Sequence, residues 1–108
     1  MRFSILTALA AGPQHGYGIL QDVTDLSDDG TAPPVGSLYR VLDRLAEDGL
    51  VRAAGEDVVD GRFRRYYEIT DDGIVALAEA AATRLRTARA AQARLKRRAA
   101  PTRKGALA

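Results

Sequence analysis

Five arginines and two hydroxyl side chains are the residues of this chain best placed to do chemistry. Arg40 and Arg44 stand one helical turn apart in the stretch GSLYRVLDRLAEDG, with Ser37 and Tyr39 beside them, and Arg62, Arg64 and Arg65 crowd a second short stretch. A guanidinium can grip a phosphate, or bond guanine O6 and N7 through paired hydrogen bonds. Ser37 and Tyr39 can donate to phosphate oxygens. Bland readings compete at each position. Arg40 and Arg44 could pair with Asp43, Glu47 or Asp48, Ser37 could only cap a helix, and Tyr39 could pack on a neighbouring helix. Three cations around one turn are costly to hold together without a polyanion, although water screens them.

Catalysis has little to draw on. The chain has no cysteine and one histidine, His15, with no carboxylate or second histidine at ligand spacing. No glycine-rich phosphate loop occurs. There is thus no coherent nucleophile, base or metal set, and neither an enzyme nor a cofactor is expected. His15 is better suited to capping a helix or meeting a phosphate at its N-terminus.

The charge is divided. Residues 1–60 hold four basic and ten acidic side chains, a balance of −6, and residues 61–108 hold twelve and four, a balance of +8. A polyanion would be drawn to the second half and to selected arginines of the first. With 108 residues and 46% hydrophobic content, the chain fits one domain that gains further burial by dimerising. The lack of cysteine is compatible with a reducing cytoplasm, and no apolar run reaches the roughly 18 residues of a membrane span. Met1–Leu9 resembles a signal sequence only superficially and is read as a first helix.

Local pattern supplies the elements that must position the arginines. Phe3, Ile5, Leu6, Leu9 and Ala10 have helical spacing, ended by Gly12-Pro13. A second short helix opens at His15-Gly16-Tyr17-Gly18, with Ile19, Leu20, Val23 and Leu26 as its inward candidates and Tyr17 read as core or interface. The loop 27–34 precedes a helix over 35–48, whose stripe of Leu38, Val41, Leu42 and Leu45 faces a core. Pro33-Pro34 fixes its start and Gly49 its left-handed stop. The acids at 43, 47 and 48 mark its C-terminal half as unfit to face DNA. Strands are expected over 50–55 and 62–70, joined by Glu56–Gly61 with its Asp60-Gly61 turn signal. Thr70 caps a last helix over 71–98, in which Ile74, Leu77, Ala81, Leu85, Ala88 and Leu95 form a heptad-like seam for a partner helix. The remainder, 99–108, reads as a basic, disordered tail.

The fold class is therefore mainly α with a small β-hairpin. It is a winged helix-turn-helix over 1–70 and a long C-terminal dimerisation helix over 71–98, with double-stranded DNA as the expected partner. The rival is a winged helix used for protein–protein contact without sequence-specific DNA binding.

Four strings together carry a family resemblance: His15–Leu20 (HGYGIL), Gly36–Leu42 (GSLYRVL), Leu45–Val51 (LAEDGLV) and Arg65–Gly73 (RYYEITDDG). In this order and at these separations they resemble the PadR-like transcriptional regulators, in the short subtype with a single C-terminal helix. The resemblance implies a cytoplasmic homodimer, usually a repressor, whose third helices and wings contact a pseudo-palindromic operator. Many such proteins release DNA when a small aromatic compound binds near the dimer interface. On this basis Ser37, Tyr39, Arg40, Arg44, Arg62, Arg64 and Arg65 are the expected DNA contacts. Leu6 is added to the dimerising positions of the last helix. The chain departs from the pattern in a first helix that starts almost at Met1, and in lacking the tryptophans that build a stacked drug site in some relatives.

Overall fold

A computed structural model describes residues 1–99, so the expected basic tail lies outside the described residues apart from Ala99. The order is α1 (Arg2–Ala10), β1 (Gln14–His15), α2 (Gly16–Leu26), α3 (Val35–Glu47), β2 (Val51–Val59), β3 (Arg62–Ile69) and α4 (Asp71–Arg98). Contacts divide the chain into a unit of Met1–Ala78 and a second beginning at Glu79.

In the first unit, α1, α2 and α3 enclose a core of Ile5, Leu9, Ile19, Leu38, Leu42 and Leu45, all essentially without solvent contact, and Val51 closes it from the sheet. Burying each such side chain contributes roughly 1.5–3 kcal/mol, which explains why the apolar stripe of α3 turns inward. Leu6 belongs to this core at 5% exposure. The placement of Leu6 at a dimer surface is therefore corrected: its face of α1 is already covered by the chain's own helices. Leu77 is also drawn inward, half-buried against the same core.

The sheet has the order β1-β3-β2, all antiparallel. The sequence reading lacks β1, whose two residues pair with Tyr67 and Tyr66. It also ends the first strand too early. β2 continues through Glu56–Val59, because a register shift between Ala53 and Glu56 absorbs the irregularity at Gly55, and pairing then resumes to Val59 opposite Arg62. Only Asp60 and Gly61 remain as the turn, both with positive φ, as a two-residue hairpin turn requires.

Short polar contacts fix the joints. His15 caps α2, its Nδ1 accepting from the Gly18 N–H at 3.2 Å. Gln14 Nε2 donates to the Ala8 carbonyl at 3.1 Å and to Asp22 at 3.0 Å, tying the end of α1 to α2. Asp29 accepts from the Thr31 backbone N–H, which holds its carboxyl below the usual range in the loop before α3. Thr70 does two things: its hydroxyl donates to the Gly49 carbonyl at 2.6 Å and accepts from the Gly73 N–H at 3.0 Å. It therefore joins the end of α3 to the start of α4. Thr70→Ala is expected to cost about 1–2 kcal/mol, and Thr70→Ser much less. Denaturant midpoints at unchanged m-value will check this, and an alanine variant as stable as wild type would show the bridge to be unimportant.

In the second unit the helix carries one acid, Glu79, against a series of basic side chains through Arg98. Ala81, Leu85, Ala88 and Leu95 are all exposed there, Leu95 at 64%.

Candidate nucleic-acid interface

Tyr39 is the hinge point of the proposed surface. It lies on α3 one turn before Asp43, and its ring packs across Gly16, where a Cβ atom would meet the tyrosine hydroxyl. The two glycines of HGYG thus serve close approach, but to side chains: Gly16 to Tyr39, and Gly18 to Gln14. Even so, Tyr39 remains 41% exposed.

Two clefts meet at this tyrosine. One is lined by Gly16, Tyr17, Leu20, Val35, Leu38, Tyr39 and Arg64. The other is lined by Tyr39, Asp43, Phe63, Arg65 and Tyr67. Successive β3 residues alternate faces, so Arg64 and Arg65 leave opposite sides of the strand yet both reach clefts bordered by Tyr39. The guanidinium of Arg64 lies 5.6 Å from the centre of the Tyr17 ring, a cation–π contact that steadies it. Its Nε is buried without a hydrogen bond. Tyr17 is 58% exposed and so is not core, and its ring carries this arginine. On the same face of β3, the His15 ring meets Tyr66 edge-on at 5.5 Å.

Arg40 and Arg44 are brought together elsewhere, in a cleft with Arg2, Val41, Asp43 and Glu47. The Arg40 guanidinium donates to Ser37 Oγ at 3.4 Å. Arg2 pairs with Asp48 at 3.1 Å, so the acid at the end of α3 is engaged with α1. Ser37 is not a cap. Pro34 occupies the N-cap position, and Ser37 is the third helical residue, with its own N–H donating to the Pro34 carbonyl. Arg62 stands beside the turn, opposite Val59.

Two electrostatic features differ from the sequence reading. Asp43 lines both the Tyr39 cleft and the Arg40 cleft, so an acid sits within the same surface rather than behind it. Residues 39 and 43 are one turn apart and must share a face. A carboxylate there can accept from cytosine N4. Second, the wing arginines are not a bare cation cluster. Glu56 stands opposite Arg65, and Asp57 opposite Arg64. Directly opposed residues share a face, which lowers the cost of keeping the arginines together without a polyanion.

Three helices, a twisted hairpin and a following helix define a winged helix-turn-helix, the class that sets its third helix in a major groove and its hairpin against the flanking backbone. The chain belongs to the PadR-like family of transcriptional regulators, whose profile matches residues 5–79. The transcriptional regulator Rv3488 of Mycobacterium tuberculosis is 40% identical over 79 residues, covering 73% of this chain and 70% of that protein. A PadR-like transcriptional regulator of Bacillus cereus superposes with a TM-score of 0.73 at 22% identity, over 87% of this chain and 89% of that one. Bacillus subtilis PadR in complex with operator DNA superposes at 0.62 with 20% identity, over 72% of this chain and 44% of that one. At such identities the two structures share the fold. Among the described residues, no helix is long and apolar enough to cross a membrane, and no acidic or histidine cluster is arranged to hold a metal ion.

Proposed function

We propose that this PadR-like regulator is a homodimeric repressor that binds a pseudo-palindromic operator through α3 and the β2–β3 wing. The observation that carries the reading is the position of Tyr39 between the Arg64 and Arg65 clefts, which makes helix and wing one surface. In this reading Arg40 and Arg44 contact base edges or phosphates of the major groove. Ser37 and Tyr39 donate to phosphate, and Arg62, Arg64 and Arg65 hold the flanking backbone. Ile74, Ala81, Leu85, Ala88 and Leu95 of α4 meet a second copy, and their exposure supports that role. Release by a small aromatic compound completes the reading and rests on the family resemblance alone. Titrating such compounds into an operator-shift assay tests it.

Selection of bound fragments from random DNA, followed by footprinting, tests the main reading. Two half-sites about 34–36 Å apart are expected, one helical turn from centre to centre. Arg40→Ala should relax base preference within each half-site by about 1–3 kcal/mol. A single unrepeated site would exclude the two-fold dimer on DNA. The acidic balance of residues 1–60 favours a second reading, in which the winged helix serves protein–protein contact and the basic C-terminal helix binds an acidic partner. Failure to retain any duplex at low salt would select it.

A further inference from the structure

We infer that Asp43 is a specificity-determining residue of α3, its carboxylate accepting from the N4 amino group of a cytosine in each half-site. This rests on the DNA-binding reading above and assigns one base contact within it. The buried stripe of α3 is Leu38, Leu42 and Leu45, so Arg40 and Asp43 stand on the side turned away from the core. Both are exposed, and they lie one turn apart on a shared face. Asp43 is common to two clefts, the one that holds Arg40 and Arg44 and the one that holds Tyr39, Phe63 and Arg65. It therefore sits where the surface of the helix meets that of the wing.

Arginines line these clefts, yet the carboxylate pairs with none of them among the described residues. Arg40 donates to Ser37 Oγ instead. Arg44 is the adjacent residue and leaves the helix in another direction, and Arg65 stands opposite Glu56 across the hairpin. Asp48 differs, since Arg2 neutralises it. Asp43 thus keeps both oxygens free, and an ionised carboxylate can only accept. On a surface that faces DNA such a group has two kinds of neighbour. Against phosphate it only repels. Against the floor of a major groove it meets the two amino donors that base edges present there, cytosine N4 and adenine N6. Adenine sets the N7 acceptor beside N6, which opposes a second acceptor, whereas N4 is the one polar group of cytosine in that groove. Cytosine is therefore the base that fits.

The test uses the full chain, the duplex it selects from random DNA, and that duplex with each position exchanged in turn. Wild type is expected to lose about tenfold in affinity when one G·C pair of each half-site becomes A·T. Asp43→Ala should erase that penalty at this position while the other positions keep theirs. Asp43→Asn keeps the shape but adds a donor, and it should move the preference to adenine, whose N6 and N7 it matches. A switch of base cannot come from misfolding. Glu47→Gln is the charge control: it removes a carboxylate one turn along α3 that lines the Arg40 cleft alone, and base preference should stay as in wild type. An Asp43→Ala variant with wild-type preference at every position would remove the assignment and leave the DNA-binding reading standing. So would an equal gain in affinity for all sequences in Asp43→Ala and Glu47→Gln with preferences unchanged, since the carboxylate would then act by repulsion alone. Wild type that retains no duplex would overturn both inference and reading.

Discussion

Replacing Gly73 by alanine is expected to destabilise the first unit by about 3 kcal/mol, the upper end of the usual cost of overpacking. A Cβ at this position would run into the Leu50 carbonyl oxygen and the Ile69 side chain. The obstacle is backbone, and it is held in place: the Leu50 carbonyl accepts from the Thr70 N–H at 3.0 Å, while the Leu50 N–H donates to the Leu45 carbonyl at 2.9 Å. Neither α4 nor the α3–β2 joint can move aside without breaking one of these bonds. For a domain of this size the loss corresponds to roughly 15 °C in Tm. Gly36→Ala is the internal control. A Cβ there meets nothing within 4 Å, and the position is helical, so a gain of about 0.5–1 kcal/mol is expected. Thermal unfolding of the two variants side by side decides the matter. Equal melting temperatures would mean that the close approach at Gly73 carries no weight.

The second large effect concerns the wing. Replacing Arg62, Arg64 and Arg65 together by alanine is expected to weaken operator binding at least a hundredfold at low salt. It should lower the slope of log affinity against log salt by up to about 2.7, if each arginine holds one phosphate. All sequences should suffer alike, because phosphate contacts carry no base information. The register adds a further term. With the arginines gone, Glu56 and Asp57 remain on the wing and would face the phosphates uncompensated. Glu56→Gln with Asp57→Asn in the otherwise unaltered protein should therefore tighten binding to any duplex. Filter binding across a salt series reads both changes, and an unaltered slope in the triple variant would place the DNA somewhere other than the wing.

Features that depend on near neighbours in the chain were legible in the sequence. The inward stripe of α3, the positive φ of Gly49 and the caps at His15 and Thr70 each follow from a few adjacent residue types. What escaped had non-local causes. Gln14 and His15 become a strand only because β3 offers them an edge, and two residues show no alternation to read. Glu56–Val59 reads as part of the connection that leads to the Asp60-Gly61 turn signal, yet the bulge lets pairing resume beyond Gly55. Leu6 illustrates a different limit. Periodicity marks an apolar face but not what covers it, whether a second copy or the chain's own α2 and α3. At the candidate interface, residue types singled out the arginines, but their companions are products of folding. Arg64 rests on Tyr17, Arg65 shares a cleft with Asp43, and Arg2 neutralises Asp48.

The packing of Tyr39 across Gly16 bears on how this surface can evolve. Because a single β-carbon at position 16 would displace the hydroxyl of Tyr39, the two positions cannot drift independently. A lineage that acquires a side chain at 16 must shrink residue 39 or let it swing outward, and either change alters the floor between helix and wing. Among descendants, size at the two sites should trade off. Operator preference would then be retuned from a residue that touches no nucleotide, which offers selection a route to new targets while every arginine stays in place.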